Sequence, residues 1–221
     1  NGRPPSYELG QLTPIALVSA DPTFLVVRSD TPYRSVKDLV AAAKANPGKI
    51  NYSSSGYYGA LHTPMAMFTL AAGINMFHIP YQGGGPAVTA ILGGQVESLA
   101  SGPGPVLPHI KAGKLRALAT WGDKRHPALP DIPTLKELGI DNEFYIWAGL
   151  FAPAATPDPV IRQLRDAVKA AVNDPQFRKA MEGAGQPIHY LDAPEFRLFV
   201  EKDAKKMADV VKAIGKVEEK K

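Results

Sequence analysis

Apolar positions along the chain fall into short runs separated by stretches with helical spacing. Residues 15–18 and 24–28 are brief β-prone runs joined through Ala20-Asp21-Pro22. Ser35 and Asp38 form a capping box, with Asp in place of Glu, ahead of a helix over 36–45 that Asn46-Pro47-Gly48 ends. A strand over 50–53 leads to a helix over 64–72 with Pro64 at its first position and Gly73 at its close. A strand over 75–79, a helix over 86–92 and a short strand over 98–100 follow, then a helix through His109 to Ala112 and an apolar strand over 115–120 ending in Trp121. This alternation predicts a parallel α/β sheet.

Beyond the Pro-rich connector 124–133 the pattern predicts a short helix near 134–138 and an apolar strand over 147–152. The character then changes to helices over 159–172, 175–182 and 194–214, each with an Asp just before or one residue from a Pro at its start. The compositional boundary falls near Asp141. Trp121 and Trp147 are expected in cores.

Two strand-to-helix turns stand out because they carry almost no side chain where the helix begins. The first is Lys49-Ile-Asn-Tyr-Ser-Ser-Ser-Gly56 followed by Tyr57-Tyr58-Gly59; the second is Met76-Phe-His-Ile-Pro-Tyr-Gln82 followed by Gly83-Gly84-Gly85. A helix start presents unpaired N–H groups and a partial positive charge, and Gly or Ser lets a ligand reach them. In α/β sheets ligands bind beyond the carboxyl ends of strands, where both turns lie. The reading is an anion site, with a plain tight turn as its bland rival. A nucleotide loop fits less well: the triphosphate Lys-Ser/Thr is lacking, and Val88 takes the last Gly position of a dinucleotide fingerprint.

Ser53-Ser54-Ser55 with His62 as base is the one hydrolase arrangement on offer, but it has neither a nucleophile elbow nor an identifiable orienting carboxylate. The serines more naturally cap or donate to an oxyanion, and His62 reads as structural within the turn. His78, His109, His126 and His189 show no metal spacing and read as core or surface residues. Tyr57, Tyr58 and Tyr81 flank the turns, either lining a pocket or packing.

Composition narrows the picture little. The 221 residues carry a formal net charge of +4, with Lys and Arg scattered and the densest run, Lys216-Val-Glu-Glu-Lys-Lys221, holding both signs. That argues against a nucleic-acid patch. Cysteine is absent, which excludes disulfides and thiolate chemistry, and no apolar run reaches the roughly 20 residues of a membrane span. The chain opens on Asn1 without a signal peptide, and its first eleven residues are polar.

Asn51-Tyr-Ser-Ser-Ser-Gly56 with His62, then His78-Ile-Pro-Tyr-Gln-Gly-Gly-Gly-Pro-Ala87, Leu92-Gly-Gly-Gln-Val96, Leu107-Pro-His-Ile-Lys-Ala-Gly-Lys-Leu-Arg-Ala-Leu118 and Pro127-Ala-Leu-Pro-Asp-Ile-Pro-Thr134 are collinear motifs. Together they resemble the Bug family, the TctC-like substrate-binding receptors of tripartite tricarboxylate transporters, from about Leu12 to the C-terminus. The resemblance implies a two-lobe α/β periplasmic binding protein of the Venus-flytrap, type II-like kind. It implies residues 1–30 as a lobe 1 remnant and crossing strand, 31–140 as lobe 2, and 141–221 as the return crossing and C-terminal helices of lobe 1.

The resemblance also implies a small carboxylate or related solute as ligand, membrane transporter subunits as partners, a periplasmic location, and no cofactor, catalysis, nucleic acid or direct membrane insertion. The same fold plan serves effector-sensing modules of regulators, the alternative reading. The expected ligand-binding residues are Ser54, Ser55, Gly56, Tyr57, Tyr58, Tyr81, Gly83, Gly84, Gly85, Ser101 and Gly102, with His62 structural beside them. Relatives carry an N-terminal strand, Gly-rich turn and helix ahead of Leu12, so the first lobe is expected to be incomplete. Ser101-Gly102-Pro103-Gly104 stands where relatives commonly have an aromatic and an Asp, and Gln82 where a Lys is frequent.

Overall fold

The computed structural model describes residues 7–186 and 188–215; the start of the polar N-terminal stretch and the charged run from Lys216 lie outside the described residues. In chain order the strands are β1 (Leu12–Pro22), β2 (Phe24–Arg28), β3 (Asn51–Ser54), β4 (Phe77–Pro80), β5 (Ser98–Ser101), β6 (Leu115–Thr120), β7 (Tyr145–Pro153) and β8 (Ile188–Asp192). The helices are α1 (Val36–Ala45), α2 (His62–Ala72), α3 (Gly84–Leu92), α4 (Pro103–Lys111), α5 (Asp158–Asn173), α6 (Pro175–Gly183) and α7 (Ala193–Ile214). They form two compact units, one over Asp21–Ile146 and one from the segments on either side; the chain passes between them within β1 and β7.

In the Asp21–Ile146 unit five strands form one sheet in the order β4-β3-β5-β2-β6. β3 runs parallel to β4 and to β5, whereas β2 runs antiparallel to both β5 and β6. The sheet is therefore mixed, not parallel throughout as the alternation predicts. The reason lies in connectivity. β2 follows β1 across a single residue with no helical crossover to force it parallel, and it inserts between β5 and β6, which the α4 crossover keeps parallel to each other. Phe24, Leu25, Val26 and Val27 are all fully buried, as a strand covered on both faces requires. Phe24 and Val26 join Leu99, Ala117 and the inward face of α3 (Ala87, Val88, Ala90, Ile91) in one core. Phe68 of α2 meets the buried Trp121 edge to face at 6.3 Å.

The predicted helix near 134–138 is instead a run of turns. Thr134 Oγ1 accepts from Glu137 N–H, and the Glu137 carboxylate accepts from Thr134 N–H, so the start has its capping box. Gly139, at φ 80°, closes the chain after one turn as Ile140 N–H donates back to Leu135 O.

The second unit holds the sheet β7-β1-β8 with α5, α6 and α7. β8, antiparallel to β1, is missing from the strands read off the sequence because five residues between two long helices give too little pattern. Phe196 of α7 is fully buried and packs on Trp147 and Phe151 at ring distances of 5.8 and 5.0 Å. Gly149 permits that approach, since a Cβ there would lie 2.3 Å from Phe196 Cζ. Trp147 Nε1–H donates to Asp203 at 3.0 Å, which satisfies the indole while its ring stays in the cluster.

Candidate functional site

β3, β4 and β5 end together at one edge of the five-stranded sheet, because Ser54 is level with Pro80 and Ser53 with Leu99. Each is followed by a loop and a helix, so the starts of α2, α3 and α4 gather beyond that edge. None of these starts has a side-chain cap or an acidic residue in its first turn. α3 begins at Gly84, two residues earlier than the pattern predicts, so Gly84 and Gly85 form its first turn. Gly83 is its N-cap at φ 107°, ψ 174°, a conformation essentially reserved for glycine. The amides of Tyr57, Gly84, Gly85 and Gly104 have no acceptor among the described residues. At α2 the first amides, His62 and Thr63, are spent on Gly59 O and Pro64 has none, so the free N–H groups come from the starts of α3 and α4 and from Tyr57 in the first loop. Together they make a positive, donor-rich surface suited to an oxyanion.

The first two loops are tied together: Tyr81 N–H donates to Ser54 O at 2.9 Å. The neighbouring serines have opposite fates. Ser54 is fully buried, and its hydroxyl lies 3.1 Å from Gly56 N, 3.1 Å from Gly56 O and 2.6 Å from His78 Nε2. Ser55 is partly exposed and its hydroxyl has no partner among the described residues. Gly56, at φ 116°, turns the loop, and Tyr58 adopts the left-handed region at φ 57° despite its side chain. Tyr58 is held there by its N–H donating to His62 Nδ1 at 3.1 Å and its carbonyl accepting from Thr63 Oγ1 at 3.3 Å.

Beneath the loop the rings form a cluster. Tyr52 stacks on His78 at 5.0 Å, His62 and His78 lie 4.3 Å apart, and Tyr57 stands edge-on to His78 at 4.9 Å. Burial pushes both imidazoles below their ordinary range, His78 to about 3 with the neighbouring His62 adding to the effect. Tyr81 does not join them: its ring packs on the core and its hydroxyl donates to Gln95 at 3.3 Å, leaving its backbone as its link to the loop. Ser101, fully buried, ends β5, and Gly102 is the N-cap of α4 with Ile146 Cδ1 3.5 Å from the position of a Cβ.

Residues 5–216 match the family model described as the tripartite tricarboxylate transporter family receptor, TctC. The chain belongs to this family. It is 37% identical over 191 residues to a Cupriavidus necator protein named "UPF0065 protein in gbd 5'region", covering 86% of this chain and 58% of that protein. It is 30% identical over 213 residues to Protein BugT of Bordetella pertussis, covering 96% of this chain and 65% of BugT. The chain thus spans between half and two thirds of the length of these curated relatives. Among solved structures, periplasmic binding protein BugD superposes with a TM-score of 0.86 at 32% identity, over 95% of this chain and 71% of its own. An R. palustris protein solved with adipate gives 0.89 at 25% identity, over 96% and 72%. The two-lobe α/β receptor fold is that of these neighbours.

Within this TctC-family chain the Ser54–His78 contact has the look of a catalytic dyad, although sequence reasoning paired the serines with His62. It lacks the chemistry of one. The serine is inaccessible, His78 holds no proton near neutral pH beyond its single ring N–H, and its Nδ1 has no carboxylate or other partner among the described residues. His78 is the site residue that sequence reasoning missed, having been read as core or surface. Its place on β4 opposite Tyr52 was the available signal, since that pairing puts it under the first loop.

Proposed function

We propose that the chain is the greater part of an extracytoplasmic solute receptor that captures a small carboxylate and hands it to a tripartite tricarboxylate transporter. The ligand's carboxylate sits against the starts of α2, α3 and α4, taking hydrogen bonds from free amides such as those of Gly84 and Gly85 and from the Ser55 hydroxyl. Tyr57 and Tyr58 shape what else fits, and Ser101-Gly102 forms a wall without a charged side chain. The role is binding and release in the periplasm, with no reaction and no cofactor. Residues 31–140 act as the lobe that carries these loops, and 1–30 with 141–221 belong to the other lobe and the crossings.

The observation that carries this reading is the lack of caps and acidic residues at all three helix starts of one sheet edge. The adipate found with the R. palustris relative supports the ligand class. Calorimetric titration of the full gene product with adipate, succinate and citrate tests it, with saturable binding of at least one expected. Silence toward all three, and toward aromatic acids, would end the proposal.

A further inference from the structure

The buried polar atoms under the first loop fix which protons are where. Ser54 Oγ has one hydrogen and two lone pairs, and three partners surround it. Gly56 N–H takes one lone pair. Gly56 O accepts only, so it takes the hydrogen. The remaining lone pair then faces His78, which must donate from Nε2–H. The other tautomer would strand an N–H on Nδ1, which is buried with no partner among the described residues; a bare ring nitrogen there costs less than an orphaned donor. His62 is fixed the same way. Its Nδ1 accepts from Tyr58 N–H, so its own proton is on Nε2. Both rings are neutral, and the centroids are 4.3 Å apart. The His62 bond requires that state, because Nδ1 must stay bare to accept; the His78 bond survives a second proton, which would enter at the unpartnered, buried Nδ1 and charge the ring beside His62.

We propose that His62 and His78 are positioning residues for loop 55–61, holding it in its anion-binding shape only while both imidazoles are neutral, so that acid releases the loop and weakens capture of the carboxylate. Protonating His62 puts an N–H where Tyr58 N–H points, and Tyr58, at φ 57°, then loses one of the bonds that keep it in a strained conformation, its carbonyl bond from Thr63 Oγ1 remaining. Protonating His78 places a cation against His62 within the same cluster. Among the described residues the rings facing the pair are the phenols of Tyr52 on β3 and of Tyr57 and Tyr58 in the loop, and no carboxylate acts on either imidazole. Burial lowers both imidazoles, so the release comes below the ordinary histidine range near 6.5. The sign separates positioning from charge attraction, because a histidine that served as the anion's partner would bind more tightly as it charged.

Only the ligand step of this inference rests on the carboxylate reading, and the test keeps the two apart. Nitrogen-15 NMR of the rings in the free chain should show the Nε2–H tautomer at both histidines near neutral pH. Hydrogen-exchange protection of the Gly56 and Tyr58 amides should fall in step with ring protonation. An Nδ1–H tautomer at either ring, or amides indifferent to ring charge, overturns the proposal without reference to any ligand. Adipate titrations of the full gene product then compare wild type with His62→Gln, whose amide oxygen replaces Nδ1 and does not titrate. The ratio of affinities cancels adipate's own protonation. Wild type should weaken relative to His62→Gln as pH falls below the ordinary histidine range, and His62→Ala should be about tenfold weaker at neutral pH, where the glutamine variant stays close to wild type. Wild type strengthening instead overturns positioning in favour of charge attraction. If no form binds any dicarboxylate while the NMR result holds, the functional reading falls and the positioning of the loop stands.

Discussion

The two edges of the five-stranded sheet are built from the same elements and treat their polar groups in opposite ways. At the edge where β2 ends, the protein's donors are spent internally. Ser35 caps α1 by accepting from Asp38 N–H, and the Asp38 carboxylate accepts from Arg34 N–H. Arg116 donates to the carbonyls of Tyr33 and Ser29 at 2.9 and 3.0 Å, and Arg28 pairs with Asp30 through two bonds. The Tyr33 hydroxyl donates to Glu97 at 3.2 Å, and burial beside that carboxylate pushes its phenol up to about 12. At the edge where β3, β4 and β5 end, three helix starts have neither a side-chain cap nor an acid, and those of α3 and α4 leave amides free. A fold seeking only stability would cap both edges, since each cap contributes about 1 kcal/mol. The difference teaches that stability has been left unclaimed at one edge, and a ligand is the economical reason.

Writing a cap into the open edge breaks the contrast most directly. Gly85→Asp places a carboxylate in the first turn of α3, at a position where a Cβ meets nothing within 4 Å. The helix gains propensity and a favourable dipole interaction, so the melting temperature should rise slightly, by the equivalent of about 0.5–1 kcal/mol. Carboxylate affinity should fall roughly a hundredfold, because the protein's own acid occupies and repels at the same amides. Calorimetry and thermal melts read both. A rise in stability with affinity intact would remove α3 from the site.

The reverse change belongs at the closed edge. Arg116→Met removes the donors to Tyr33 O and Ser29 O, and should cost about 2 kcal/mol in denaturant unfolding while leaving ligand affinity within twofold. Ser35→Ala removes the cap of α1 for about 1 kcal/mol, again without a change in affinity. Loss of binding in either variant would show that the two edges are coupled and that the contrast is not local.

Much of this was legible in the sequence. Ser35 with Asp38, Pro175 behind Asp174 and Pro194 behind Asp192 marked helix starts that the structure caps as written, because capping is a contact among residues at most three apart. Asp158 was read the same way but lies inside the first turn of α5, where it meets the dipole and makes no cap bond. The Gly and Ser turns announced the open edge for a similar local reason. What the sequence withheld was long-range. The reversal of β2 depends on which strands it joins, and β8 exists because β1 offers it an edge. The inward commitment of Ser54 depends on His78, twenty-four residues away. Nothing local distinguishes Ser54 from Ser55, though one is sealed beneath the loop and the other lies at its surface.

The smallest effect expected is also the cleanest probe of the closed edge, because it needs no large change in structure. The Ser35 hydroxyl, followed by the Arg34 amide, holds the Asp38 carboxylate below its ordinary value. A carboxylate whose folded value is depressed adds stability above the unfolded value near 3.9, and that stability is lost as pH falls through the folded value. Wild type should therefore lose melting temperature faster than Asp38→Asn between about pH 4 and pH 2, and the two curves should run parallel above about pH 5. Asp38 is exposed, so the difference should shrink in high salt. Parallel curves throughout would mean that the α1 cap is made by Ser35 alone, with its carboxylate partner idle.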